Sequence, residues 1–346
     1  MNPYLELLYR HLADEGYEPT EGGDLSFSWL WANRRRIDIL HFNWPQGLYR
    51  YQRRPALLQR QLSWLKLIIF ATRLAAARAL GYRIVWTIHQ VYPHDTEERR
   101  LDRAAARVLA SAAHVLLVHD EPTRRTSADA LGRRAAKAAV VPHGSYVGVY
   151  PRGRARELVR AELGIDQSAF LFLCFGELRK HKETSLVLRA FDQVATRDVA
   201  LLVAGHPKSA DAENEIVRAA ERDSRIKHVL RFIPDAQVRE LFDAADAAVI
   251  ARSDGGTSGA LVLALSLDLP VVVADRPAYR ELTRDGDAGW LFEPRDAGAL
   301  SAALTAAAAD RDEAALKGRA AGAIAAQLAW PSIAATTGRL LDATLR

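Results

Sequence analysis

Two glycine-bearing turns in the second half of the chain have the composition of an anion site. Gly176-Glu177-Leu178-Arg179-Lys180-His181-Lys182 follows an apolar run that ends at Phe175. Glycine lets the chain turn sharply there, and Arg179 and Lys182 then carry cations over the end of the run, where a diphosphate would be neutralised. Asp254-Gly255-Gly256-Thr257-Ser258-Gly259 lies between the apolar run 247–251 and a helical segment reaching about Leu267. Free backbone N–H groups at a helix start bind anions, the glycines admit a phosphate closely, and Thr257 or Ser258 caps or donates. Taken singly, the first is also a solvated basic loop and the second a glycine turn with an ordinary cap. Their occurrence in neighbouring loops of one domain favours a shared phosphate ligand.

Two segments of the first half carry proton chemistry. Trp86-Thr87-Ile88-His89-Gln90 ends a strand at His89, an imidazole suited to moving a proton or to hydrogen-bonding a sugar hydroxyl, although a lone strand-end histidine is more often structural. His94 and Asp95 follow as an acid–base pair or, equally, as the cap of the next helix. Pro142-His143-Gly144-Ser145-Tyr146 offers a histidine and a tyrosine to a cleft, with a tight hinge turn as the plainer reading.

These loops need a frame of parallel strands, and the sequence supplies it. Short β-branched runs alternate with helical periods along the chain, the mark of parallel sheets covered by helices. Strands are expected at 37–42, 83–89, 114–119 and 139–142, then at 170–175, 199–204, 226–232, 247–251 and 271–274. The segment 144–154 holds Gly144, Gly148, Pro151 and Gly153 with no apolar period, so the domains are placed at 1–150 and 151–330. The helix 331–346, led by Pro331, is expected to return to the first domain. The chain opens in a helix where a doubly wound domain would begin with a strand; the first sheet therefore lacks that strand, or Met1 is not the natural start.

Composition narrows the classes. A chain of 346 residues with 49% apolar content is enough for two cores. Its single cysteine, Cys174, sits inside an apolar run, which excludes a disulfide framework and suits a reducing compartment. The N-terminus lacks the succession of a secretory signal. The segment 57–80 is interrupted by Arg60, Lys66, Arg73 and Arg78, too many charges for a bilayer span. The net charge of +5 favours an anionic partner, but no nucleic-acid-binding motif accompanies it. No G-x-G-x-x-G follows a strand, which argues against a nicotinamide dehydrogenase.

Together these segments resemble the GT-B glycosyltransferases of the group-1 or family-4-like set, and within it a bacterial exopolysaccharide-type branch. The likeness spans nearly the whole chain. Phe175-Gly176-Glu177-Leu178-Arg179 through Lys182 is similar to the family's FGxLRxxKG element, and 258–273 to the stretch ending A-x-G-x-P-V-V. His41-Phe42-Asn43-Trp44-Pro45, Thr87-Ile88-His89-Gln90 and Pro142-His143-Gly144-Ser145-Tyr146 look like the HxHWP, TxHN and PHGNY elements of that branch. The resemblance implies two doubly wound Rossmann-like α/β domains facing a central cleft. It implies that Arg179 and Lys182 neutralise a donor diphosphate cradled by Gly176 and by the loop from Asp254 to Gly259, with His89 beside the transferred sugar. It further implies that His41, Trp44, His143 and Tyr146 line the acceptor side. Where many members carry glutamates spaced E-x7-E, this chain has Gly255 and Leu263; Asp254 is the nearest acid to the first. Glu183 and Asp268 replace two usual glycines. An inverting reaction would need a general base, for which His89 or Asp95 is the candidate.

The expected activity is transfer of a sugar from a nucleoside-diphosphate sugar to a glycan or polyprenyl-linked acceptor in exopolysaccharide or glycolipid assembly. The enzyme would be cytoplasmic, at most peripheral on the inner face of the plasma membrane. No cofactor or metal is expected, because GT-B enzymes balance the leaving diphosphate with cations and helix N-termini; the Asp285-Gly286-Asp287 triplet reads as a turn. The helix 57–80, with Trp64, Leu65, Leu67, Ile68, Ile69 and Phe70 among basic residues, is either an anionic-membrane contact or a packing helix with a basic outer face. The competing readings are a sugar-nucleotide epimerase of the same fold and a non-catalytic sugar-nucleotide-binding protein.

Overall fold

The computed structural model describes residues 3–51, 58–92, 99–178, 183–253 and 255–346. It divides the chain into two compact units, Pro3–Pro142 with Trp330–Arg346, and His143–Ala329. The division falls at Pro142/His143, so the linker segment that begins at His143 belongs to the second unit.

The first unit is built on a parallel sheet ordered β1-β2-β3-β4, comprising β1 (Ile39–Phe42), β2 (Arg83–Ile88), β3 (Val115–Val118) and β4 (Ala138–Val140). Each crossover moves to the next strand in the same direction, so right-handed connections lay α4 (Gln59–Ala79), α5 (Arg99–Ala112) and α6 (Glu121–Leu131) on one face. The other face falls to α1 (Tyr4–Asp14) and α15 (Trp330–Leu345), which pack together, with α15 also touching β2 and β3. Burial follows from that double cover: Val85, Trp86, Thr87 and Ile88 are all shielded, as a strand covered on both faces requires.

The second unit carries a six-stranded parallel sheet ordered β10-β9-β8-β5-β6-β7. Its strands are β5 (Phe170–Phe175), β6 (Val199–Ala204), β7 (Ile226–Val229), β8 (Ala247–Ile250), β9 (Val271–Ala274) and β10 (Gly289–Phe292). The order reverses between β5 and β8, so a crevice opens beyond their carboxyl ends, where open α/β sheets bind ligands. Cys174 lies in this core and burial pushes its thiol up to about 12, leaving it a packing residue. Asp268 adopts φ +56 after α11 (Gly259–Ser266), a left-handed position that aspartate tolerates better than most residues; this accounts for its standing where glycine is usual.

Candidate active site

In the second unit the site is made largely of backbone. Gly176 (φ +130) and Gly205 (φ +144) turn the chain after β5 and β6. A Cβ at Gly205 would come within 1.8 Å of the Gly176 carbonyl oxygen, so only glycine allows the two loops to lie together. Leu178 N–H donates to the His206 carbonyl (3.1 Å), and Lys208 pairs with Glu177 (2.6 Å), which holds the start of the cationic loop. Arg179 and Lys182 themselves lie outside the described residues, as do Asp254 and Asp95.

Across the switch point, Gly255 turns at φ +81 and Ser258 caps α11, its hydroxyl accepting from Leu261 N–H (3.4 Å). The following helix is buried almost throughout, so the glycine loop rests on a rigid support. Thr257 is half-buried, and Gly256 is buried. Three further cations gather at these strand ends. Arg252 follows β8 and faces Glu183 (Nε to Oε1, 3.8 Å). Arg276 follows β9; its guanidinium lies 4.7 Å from the centre of the Tyr279 ring and donates to the Gly255 carbonyl. Its other terminal nitrogen, Nη1, is buried with no hydrogen-bond partner among the described residues, an arrangement that favours an added acceptor. Arg295 follows β10 and donates to Ser253 Oγ (3.1 Å). Sequence reasoning missed all three, although a cation within three residues of a parallel strand's carboxyl end was a usable signal.

The first unit carries a cluster of its own, made of side chains. The last register pair of β2 and β3 is Ile88 with Val118, so the next residues, His89 and His119, emerge side by side. His89 Nδ1 lies 3.2 Å from His119 Nε2, and His89 Nε2 lies 3.0 Å from Asn43 Oδ1. His119 Nδ1 is 3.0 Å from the Val141 carbonyl oxygen. Trp44, half exposed, stacks on His89 with ring centres 4.4 Å apart, and Tyr4 sets its edge against both histidines. Burial lowers the pKa of His119 and holds its ring neutral. His41 stands one layer away, hydrogen-bonded through Nε2 to Thr87 Oγ1 (2.8 Å) and through Nδ1 to Tyr9 OH (3.2 Å), and burial depresses it to about 4. Burial raises Tyr9 to about 12, with a hydrogen bond to Asn43 pulling the other way. A narrow crevice beside His89 is walled by Trp44, Tyr49, Trp86 and Asp102, the last paired with Arg50 (2.6 Å).

Thus His41, Trp44 and His89 come together, with Asn43 and His119 as partners that sequence reasoning did not single out. His143 and Tyr146 belong to the second unit, where both are buried, ring centres 5.6 Å apart, with Tyr146 N–H donating to Ser266 Oγ (2.8 Å). Asp285-Gly286-Asp287 forms a turn with Asp285 and Gly286 at positive φ. Among the described residues no group of three or more His, Cys, Asp or Glu side chains is arranged to hold a metal ion.

The second unit thus places a glycine loop and a helix capped by Ser258 beside the switch point of a parallel sheet, where open α/β sheets collect their ligands. Comparison makes the class specific. Residues 155–322 match the family described as glycosyl transferases group 1. The chain is 27% identical over 335 residues to the GDP-mannose:glycolipid 4-beta-D-mannosyltransferase of Xanthomonas campestris pv. campestris, covering 96% of this chain and 85% of the relative. It is 28% identical over 258 residues to the D-inositol 3-phosphate glycosyltransferase of Streptomyces scabiei (strain 87.22), covering 72% of this chain and 56% of the relative. Among solved structures, Anabaena Alr3699/HepE in complex with UDP superposes with a TM-score of 0.73 at 19% identity, over 91% of this chain and 81% of that one. A glycosyltransferase from Rickettsia africae ESF-5 gives 0.71 at 13% identity, over 98% and 88%. The protein is a glycosyltransferase of the GT-B fold, and its residues 155–322 are similar to the group 1 family.

Proposed function

We propose that this enzyme transfers a hexosyl group, mannose from GDP-mannose being the first donor to test, to a lipid-linked saccharide, with inversion at the anomeric carbon and without a bound metal. The observation that carries the donor half is the glycine loop at the start of α11, ringed by Arg252, Arg276 and Arg295 at successive strand ends. Arg179 and Lys182, with Gly176 and the stretch from Asp254 to Gly259, complete the diphosphate cradle in this reading. The extended likeness to a glycolipid mannosyltransferase supports the sugar and the acceptor class. A UDP-sugar is the second donor to test, on the strength of the fold neighbour solved with UDP.

Inversion is supported by Gly255 standing where a glutamate would face the donor sugar. The acceptor hydroxyl attacks the anomeric carbon, its proton passes to His89 Nε2 or to Asp95, and the bond from sugar to diphosphate breaks. The departing nucleoside diphosphate takes the electron pair, and the surrounding cations and loop amides stabilise that charge. Trp44 offers a flat face to the acceptor sugar, with His41 behind it.

Purified enzyme given GDP-mannose, a polyprenyl-linked oligosaccharide and EDTA should form a β-mannosylated product, read by the anomeric proton in NMR. An α-linked product sinks inversion; dependence on added metal sinks the metal-free reading. Epimerised donor without acceptor consumption, or tight donor binding with no transfer to any acceptor, would replace the transfer reading altogether.

The acceptor's lipid gives α4 a role as a peripheral membrane contact. Two of its four cations turn inward: Lys66 donates to the Gly47 and Arg50 carbonyls (3.0 and 2.8 Å), and Arg73 to the Asp24 carbonyl (3.1 Å), while Arg60 and Arg78 stay exposed. The outer stripe is apolar instead, with Trp64, Leu65, Ile68 and Ile69 exposed, and Phe27 and Trp31 exposed on α2 (Phe27–Asn33), which packs on α4. None of the described helices is long and apolar enough to cross a membrane. Flotation with anionic vesicles should carry the protein upward and the Leu65→Glu, Ile68→Glu double variant should stay below; equal flotation of both defeats the contact.

A further inference from the structure

The hydrogen bonds around His89 form a continuous chain with one end of fixed polarity. Val141 C=O can only accept, so the Nδ1 of His119, 3.0 Å away, must carry the proton. His119 is buried against Tyr4 and is neutral, which leaves its Nε2 as a lone pair. That lone pair lies 3.2 Å from His89 Nδ1, so the His89 proton sits on Nδ1. In a neutral ring that leaves His89 Nε2 as the basic nitrogen; it lies 3.0 Å from Asn43 Oδ1.

Asn43 fits both charge states of that nitrogen. With Oδ1 toward the ring, as found, it accepts from the imidazolium; after a half-turn of the amide, its N–H donates to the neutral ring. A methyl group or a carboxylate in its place would match one state at most.

We propose that His119 is the positioning residue for His89: it locks the Nδ1–H tautomer through the Val141 carbonyl and so presents Nε2 as a proton acceptor rather than a donor. Which ring nitrogen carries the proton is decided by the hydrogen bond the other one makes, and a wrong tautomer disables a base whose position is otherwise intact. The inference rests on the reading of His89 as an acceptor-side residue, but its spectroscopic test does not.

The test uses full-length protein labelled with 15N-histidine, with His89 assigned by its loss in His89→Gln. Long-range proton–nitrogen correlations of the wild type should show His89 protonated at Nδ1 and bare at Nε2. His119→Leu should shift the proton to Nε2 or give a mixture, and should lower kcat by roughly 10- to 100-fold with the donor KM unchanged. His119→Gln keeps an acceptor near the Nε2 position and should restore both tautomer and most of kcat. An Nε2–H tautomer in the wild type overturns the proposal without any variant, and so does an Nδ1–H tautomer that persists in His119→Leu. If His89→Gln transfers sugar at the wild-type rate, the acceptor-side reading of His89 fails while the spectrum still decides the relay.

Discussion

The two units solve the problem of placing a reactive group by opposite means. The second relies on backbone: glycines that allow two loops to touch, a capped helix start, and arginines two or three residues past strand ends. The first relies on a file of side chains, from Thr87 through His41, Tyr9, Asn43 and His89 to His119 and the Val141 carbonyl. A backbone site holds charge without itself titrating, which suits a diphosphate that is anionic throughout the reaction. A side-chain file can hand a proton along or fix where it sits, which suits a hydroxyl that must lose one.

The contrast can be broken at its most sensitive points. His89→Asn should reduce turnover by about 10²- to 10⁴-fold with donor binding by calorimetry intact; a parallel loss of donor affinity would mean that the units do not divide the labour this way. Gly205→Val should destabilise the second unit by roughly 3–5 kcal/mol, because backbone oxygen cannot retreat from the new Cβ. Denaturant unfolding at an unchanged midpoint would remove the close-approach argument. Arg276→Ala should lower kcat/KM by about 10²-fold, and Arg276→Lys should recover little, since an ammonium cannot both stack on Tyr279 and fork to a phosphate. Full rescue by lysine would reduce Arg276 to a simple charge.

Acid should act mainly on the first unit. His41 and His119 titrate below the ordinary histidine range in the folded protein, so unfolded chains take up protons first as pH falls. Stability is therefore full above about pH 6.5 and drains as pH drops toward 4, by up to roughly 3 kcal/mol for His41. His41→Leu should flatten that limb of the unfolding profile; an unchanged acid limb would show that His41 is not the titrating group.

The same contrast governs what could be read beforehand. Strands 170–175, 199–204 and 271–274 are observed at the expected positions because their runs are β-branched or aromatic and doubly covered. β10 escaped notice: it is four residues long and begins at Gly289, whose missing side chain lets it lie against the Val271 carbonyl. Glycines expose a backbone site in the sequence because no other residue will serve. His119 gave no such sign, being the polar end of an apolar run, and its meeting with His89 depends on a register only the sheet defines. The outward stripe of α4 was hidden for another reason: Lys66 and Arg73 reach carbonyls on α3 (Gln46–Tyr49) and nearby loops, which composition does not reveal.

The last helix has a bearing on how the chain is made. Trp330 sits 5.6 Å from Tyr4, and Tyr4 in turn borders both histidines, so residues far apart in the sequence close one face of the first sheet. During synthesis that face must wait for some two hundred intervening residues to be made, and the second unit is free to mature before the first is sealed. The ribosome thus delivers the unit of glycine loops ready-made and the unit of the histidine pair last.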